Sequence, residues 1–273
     1  MLNNIHLGGA VVDFEILKTT VLGVIQGFTE FLPISSTGHL VLGRKLFGLS
    51  EAGLFMDTML HVGTLLAVVV VFWKDIVHML RNPFSKLSLL IIVGTIPTAI
   101  IGLAFEDFFE EISKTGQTIG VEFLVTGLIL WFADNAKKSA TKDLEQISYT
   151  DAIVMGTLQG AAILPAISRS GLTIAGAFFR KINKQAAARF SFLLSLPAIL
   201  GAVVLQSAKL VGGQVESVGI TALIAGTIAS AIAGYIAVKW MLDILQRGSL
   251  KVFSVYVWIL GIMIIIAQVY GKF

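Results

Sequence analysis

Three short stretches of the 273-residue chain carry side chains whose types and spacing suit chemistry. In the first, 26–39, Gln26 is followed four residues later by Glu30, then by Pro33, the hydroxyl cluster Ser35, Ser36 and Thr37, and His39. On a continuing helix Gln26 and Glu30 share a face, so a carboxylate there can bind a divalent ion or orient a base. If a new helix begins at the serines, Ser36 and His39 also share a face, where an imidazole can deprotonate a hydroxyl nucleophile. A lone histidine is usually structural, but this setting beside Glu30 and Ser36 favours function. In the second stretch, 164–176, Ser168, Arg169, Ser170 and Thr173 follow Pro165. A guanidinium fork among hydroxyls matches phosphate oxygens. In the third, Asp57 and His61 stand four apart. A local hydrogen bond is favoured there over a metal or substrate role.

The elements that must position these groups are apolar. Hydrophobic residues make up 56% of the chain and charged residues 14%, against about a quarter charged in ordinary soluble domains. Helical stretches are expected near 14–32, 38–48, 54–73, 87–104, 119–135, 150–165, 171–182, 186–206, 220–242 and 252–271. Strict polar/apolar alternation of a membrane barrel is missing, so the fold class is an all-α polytopic membrane protein. The stretches at 38–48 and 171–182 are too short to span and each follows a proline and a hydroxyl/glycine cluster, so both are expected as returning arms of re-entrant hairpins. With 14–32 and 150–165 as the entering arms of the same hairpins, six full spans remain.

An internal repeat organises the chain. GVIQGFTEFLPISSTG at 23–38 recurs as GTLQGAAILPAISRSG at 156–171, Gly23 and Gly156 being 156 − 23 = 133 residues apart. One membrane domain, 1–273, is expected, with halves 1–143 and 144–273, each a hairpin plus three spans. The odd span count inverts the second half, and inverted repeats bring hairpin tips together near the midplane. Most Lys and Arg, including Lys74, Arg81, Lys86, Lys137 and Lys138, then fall on one side, the cytoplasmic one. Lys18, Arg44, Lys45, Lys114, Lys209 and Lys272 fall on the other. Helices begun by Ser35–Thr37 and by Ser168–Ser170 offer free N–H groups and positive ends for an anion. Arg169 at membrane depth requires an anion, either phosphate or Glu30, and Glu30 can hold it in the empty state. The glycines of Gly23-Val-Ile-Gln-Gly27 and Gly156-Thr-Leu-Gln-Gly160 suit close helix packing.

Several classes are excluded. No cysteine is present, which removes thiol catalysis and zinc–thiolate sites. The net charge of +3 is spread over short loops, which argues against nucleic acid. The first thirteen residues lack a basic region before the first apolar stretch, so a cleaved signal peptide is not expected.

The motifs QGFTEFLPISSTGH at 26–39 and LPAISRSGLTIAG at 164–176, with FMDTMLHVGT at 55–64 and RFSFLLSLPAILGA at 189–202, resemble the bacterial undecaprenyl-diphosphate phosphatase family, also called the bacitracin-resistance protein. The resemblance covers nearly the whole chain. It implies a hydrolase of the bacterial cytoplasmic membrane that removes the terminal phosphate of undecaprenyl diphosphate, with its active site on the outer face. Its role there is recycling the lipid carrier for peptidoglycan and other wall polymers and conferring bacitracin resistance. It implies a divalent cation, Mg²⁺ or Ca²⁺, with Glu30 as a candidate metal residue. The family's motifs land on Gln26 and Glu30, on Ser36 and His39, and on Pro165, Ser168, Arg169, Ser170 and Thr173. Ala166 stands where the family has glycine, which removes no catalytic atom.

The resulting expectation names Glu30, Ser36, His39 and Arg169 as catalytic. Gln26, Ser35, Thr37, Ser168, Ser170 and Thr173 are expected to bind phosphate. Ser36 attacks the terminal phosphorus and His39 takes its proton, with a metal-activated water as the other nucleophile. The partners are the polyprenyl diphosphate and the bilayer, and a homo-oligomer is left open. The rival function is a transporter or flippase of a polyprenyl phosphate, because inverted repeats with midplane hairpins are transporter architecture. A base beside a serine favours the enzyme.

Overall fold

The structure is a computed structural model that describes residues 4–7, 10–49, 54–211 and 218–271; Lys272, one of the expected outer charges, lies outside them. A short antiparallel hairpin, β1 (Asn4–Leu7) and β2 (Ala10–Asp13), precedes twelve α-helices among the described residues. These are α1 (Phe14–Phe31), α2 (Ser36–Phe47), α3 (Leu54–Val71), α4 (Trp73–Arg81), α5 (Lys86–Ala104) and α6 (Glu106–Thr115). The remainder are α7 (Ile119–Ala136), α8 (Tyr149–Ala161), α9 (Arg169–Phe179), α10 (Lys184–Val211), α11 (Ile220–Arg247) and α12 (Lys251–Val269).

Ten of the twelve fall on the expected stretches. The two unexpected ones, α4 and α6, are 9 and 10 residues long, and each mixes charged with bulky apolar side chains. Their polar residues obscure a span signal, yet one apolar face per helix is enough to fold them against the rest. Five helices are long and apolar enough to cross a membrane, and six if α3 and α4, bent by 81° at their junction, count as one broken span. The chain is a multi-pass membrane protein. At 12 and 11 residues, α2 and α9 fall well short of the roughly 20 needed to cross.

Packing is reciprocal between the two parts of the chain. Helix α1 lies mainly on α11, and α8 lies mainly on α5; α3 meets α10, and α7 meets α12. The repeated glycines sit at these contacts. A Cβ at Gly23 would fall on the carbonyl oxygen of Gly226 in α11, and one at Gly156 on the carbonyl oxygen of Gly94 in α5. Between helices in lipid, such backbone approach replaces the hydrophobic drive that water would supply. Thr98 Oγ1 adds a bond to the Gly156 carbonyl at 2.8 Å. Gly156→Val is therefore expected to destabilise by about 1–3 kcal/mol through overpacking. Thermal unfolding in detergent checks this against Gly201→Ala, where an added Cβ meets nothing within 4 Å.

The far end of the second hairpin is closed by charge. Buried Asp151, at the start of α8, pairs with Arg180 Nε at 2.6 Å and Lys142 Nζ at 3.1 Å, and accepts from the Ser148 N–H at 3.0 Å. Arg180 directly follows α9, so one carboxylate ties together the two ends of the hairpin.

Candidate active site

Each hairpin turns at its proline. Helix α1 stops at Phe31, the chain turns through Leu32-Pro33-Ile34, and Ser35 caps α2. Ser35 has φ 67°, a left-handed conformation that costs a non-glycine residue on the order of 1 kcal/mol or more. Its polar atoms hold it there. The Ser35 hydroxyl donates to the Pro165 carbonyl of the other hairpin at 2.8 Å and accepts from the Gly38 N–H at 3.4 Å. The Ser35 carbonyl accepts from the His39 N–H at 3.3 Å. Across the junction Ser168 caps α9, accepting from the Gly171 N–H at 3.1 Å, and Ser170 Oγ donates to the Leu32 carbonyl at 3.2 Å. The tips thus bind each other in both directions, and both short helices start at their junction.

Glu30 sits between them. Its Oε2 accepts from the Ser36 hydroxyl at 2.5 Å and from the Gln26 amide at 2.9 Å. Its Oε1 pairs with Arg169 Nη2 from the other tip. The Arg169 Nη1 and the Gln26 Oε1 are buried and have no partner among the described residues. A buried guanidinium nitrogen left unpaired is costly, and it marks a position for an acceptor that arrives from outside.

The other expected residues divide. Thr37 is half-buried in the first turn of α2. Thr173 turns into the α9–α10 contact, bonded to the Arg169 carbonyl at 2.9 Å and the Ser191 hydroxyl at 2.5 Å. His39 corrects the expected geometry. It does share α2 with Ser36, but its ring swings to α12, where Nε2 lies 2.8 Å from the Tyr256 hydroxyl and the rings stack at 5.8 Å. Its Nδ1 meets the Ser35 carbonyl at 2.6 Å. That carbonyl can only accept, so Nδ1 carries a proton, and in the neutral imidazole Nε2 then accepts from Tyr256. Three-residue spacing placed the backbones on one face but could not set the ring's direction, which Tyr256 and Phe123 decide.

The histidine beside Glu30 is instead His61 of α3, with Nε2 at 3.5 Å from Glu30 Oε2. The favoured local hydrogen bond with Asp57 is present but runs through the backbone, His61 Nδ1 to the Asp57 carbonyl at 2.7 Å, while the Asp57 carboxylate pairs with Arg44 at 2.8 Å. Sequence reasoning passed over one further residue, Glu122 of α7. Its Oε2 accepts the Ala166 N–H at 2.5 Å and its Oε1 the Thr118 hydroxyl at 2.6 Å. Thr126 Oγ1 donates to the Ala166 carbonyl at 3.0 Å and accepts from the Ser168 N–H at 3.2 Å. An ionisable residue inside an apolar span is a signal in its own right, so Glu122 was readable. Glu122→Ala leaves the buried Ala166 N–H unpaired, and a loss of about 1–3 kcal/mol in thermal stability in detergent is expected.

The fit of these residues to a divalent ion is poor. Among the described residues no group of three or more His, Cys, Asp or Glu is placed to hold a metal. Both Glu30 oxygens are engaged, one by a guanidinium. The expectation of Glu30 as a metal residue is not matched by this arrangement, because the carboxylate already answers a partly buried cation from the second tip.

Comparison with known proteins bears on this site. The model of the family described as Bacitracin resistance protein BacA matches residues 19–263. "Undecaprenyl-diphosphatase 4" of Bacillus thuringiensis (strain Al Hakam) is 60% identical over 252 residues, 92% of this chain and 97% of its own. "Undecaprenyl-diphosphatase" of Carboxydothermus hydrogenoformans is 52% identical over 258 residues, 94% and 98%. That of Halothermothrix orenii is 44% identical over 254 residues, 92% and 98%.

Proposed function

We propose that this chain, which belongs to the Bacitracin resistance protein BacA family, hydrolyses undecaprenyl diphosphate to undecaprenyl phosphate and inorganic phosphate. The observation that carries the reading is Arg169. Its Nη2 is paired with Glu30 and its Nη1 is buried with no acceptor among the described residues, at the point where two hydroxyl-capped helices begin. A terminal phosphate supplies the missing acceptor, and the helix ends favour its charge.

Ser36 is the nucleophile and Glu30 its proton acceptor, since their oxygens stand 2.5 Å apart while His39 is occupied elsewhere. Ser36 Oγ bonds to the terminal phosphorus, its proton passes to Glu30, and the bond from that phosphorus to the bridging oxygen breaks. The bridging oxygen leaves with the lipid phosphate. Water then attacks the phosphoserine, the Oγ–P bond breaks, and the proton on Glu30 returns to Ser36. Both hydrogens of the water stay with the released phosphate or pass to solvent. Arg169 and the helix ends neutralise charge on the transferring group. His39 steadies the first tip through the Ser35 carbonyl, and Gln26 holds Glu30 against Ser36.

The reading places the enzyme in the bacterial cytoplasmic membrane with the site toward the outer side, where loop charge supports that orientation. There it recycles the wall-polymer carrier and confers bacitracin resistance. The reciprocal packing of α1 on α11 and α8 on α5 supports an inverted repeat with halves 1–143 and 144–273. The test is inorganic phosphate release from a C55 polyprenyl diphosphate by detergent-purified protein. Release that stops in Ser36→Ala, with phosphoserine trapped at Ser36 in the wild type, is the expected result. Full activity in Ser36→Ala would transfer the attack to water, and no release by folded protein that binds the lipid would overturn the hydrolase.

A further inference from the structure

We propose that a divalent cation enters this site only in complex with the diphosphate, and that the substrate-free protein holds none; the inference rests on the diphosphate reading above. Hard cations such as Mg²⁺ collect oxygen ligands, with carboxylates supplying the charge and water or phosphate the rest. Among the described residues the pocket offers one carboxylate, and both of its oxygens are engaged. Oε1 faces the Arg169 guanidinium, and Oε2 receives the Ser36 hydroxyl and the Gln26 amide.

A resident dication would have to displace a partly buried cation from its counter-ion, leaving Arg169 uncompensated beside an apolar interior, which is unfavourable. The neighbouring acid is also committed, because Asp57 pairs with Arg44. Glu122 is engaged at both oxygens, one by the Ala166 N–H of the second tip and the other by the Thr118 hydroxyl at the start of α7. What remains by Glu30 is the buried Gln26 Oε1 and the His61 Nε2 at 3.5 Å from Glu30 Oε2. Neither brings the negative charge that a dication needs, but both can complete a shell that phosphate oxygens have mostly filled.

The diphosphate changes this balance. It brings several anionic oxygens, which satisfy Arg169 Nη1 and neutralise the ion together. Linkage then makes metal and diphosphate bind each other's complex more tightly than either binds alone.

The experiment uses Mn²⁺ as an EPR-visible probe, with detergent-purified full-length protein and a methylene-bridged polyprenyl diphosphonate that cannot be hydrolysed. After gel filtration the expected result is no Mn²⁺ retained by the protein alone and about one per chain retained with the diphosphonate. Retention should fall together with diphosphonate binding in Arg169→Ala. Stoichiometric Mn²⁺ on the ligand-free protein, abolished by Glu30→Gln, would overturn the inference in favour of a resident site. Diphosphonate binding with no retained Mn²⁺ would overturn it the other way. Failure of the diphosphonate itself to bind folded protein would instead sink the diphosphate reading, so the two failures are distinguishable.

Discussion

Arg169→Ala is expected to lower phosphate release about 10³-fold, the scale on which a positioned cation or charge-stabilising donor acts in phosphoryl and acyl transfer. The guanidinium is the cation that reaches Glu30 from the second hairpin, and its Nη1, unpaired among the described residues, is the donor that awaits the substrate. The same change removes half of a partly buried ion pair, so the variant also loses stability, by up to about 3–5 kcal/mol if Glu30 stays ionised. Activity must therefore be measured on the folded, monodisperse fraction. Arg169→Lys separates charge from fork: a lysine keeps the positive charge but cannot serve Glu30 and phosphate in one plane. It is expected to recover stability more than turnover. If Arg169→Ala retains near-normal release, the phosphate is held elsewhere and the assignment falls.

Glu30→Gln is the second large effect. The amide keeps the size of the side chain and still accepts the Ser36 hydroxyl bond, but it takes no proton and carries no charge. Loss of a positioned base costs about 10²–10⁴-fold, and phosphate release by folded protein reads it directly. The substitution also leaves Arg169 without its counter-ion among the described residues. Because the two residues share one interaction, their effects should not add. The double variant Glu30→Gln/Arg169→Ala is expected to be little slower than the worse single one, and clearly more stable than the sum of the single losses implies. Independent, additive losses in both measurements would mean that Glu30 and Arg169 do not act on the same reacting group.

Much of this was legible in order along the chain. Long apolar runs admit one solution in lipid, the helix, so ten elements could be placed from composition alone. Proline followed by hydroxyls broke two of them into short returning arms, and the 133-residue echo from Gly23 to Gly156 pointed to paired contacts that the structure has at Gly226 and Gly94. Arg169 declared itself because a guanidinium among apolar residues needs an anion. Helices α4 and α6 were not legible, since nine or ten residues with mixed polarity resemble a charged loop until a surface is present for them to lie against.

Tertiary structure decided which side chains meet. Spacing along α2 put Ser36 and His39 on one face, yet rotamer and neighbour sent the imidazole to Tyr256 on α12, 217 residues away. It brought His61 from α3 to Glu30 instead. It also gave Glu30 both a hydroxyl from its own hairpin and a guanidinium from the other. A one-dimensional period determines which face of its own helix a residue occupies, and hence what kinds of group the site can contain. It carries no term for the helix opposite, so the partner of each polar atom, and with it the proton's path, is settled only when the two hairpin tips close on each other.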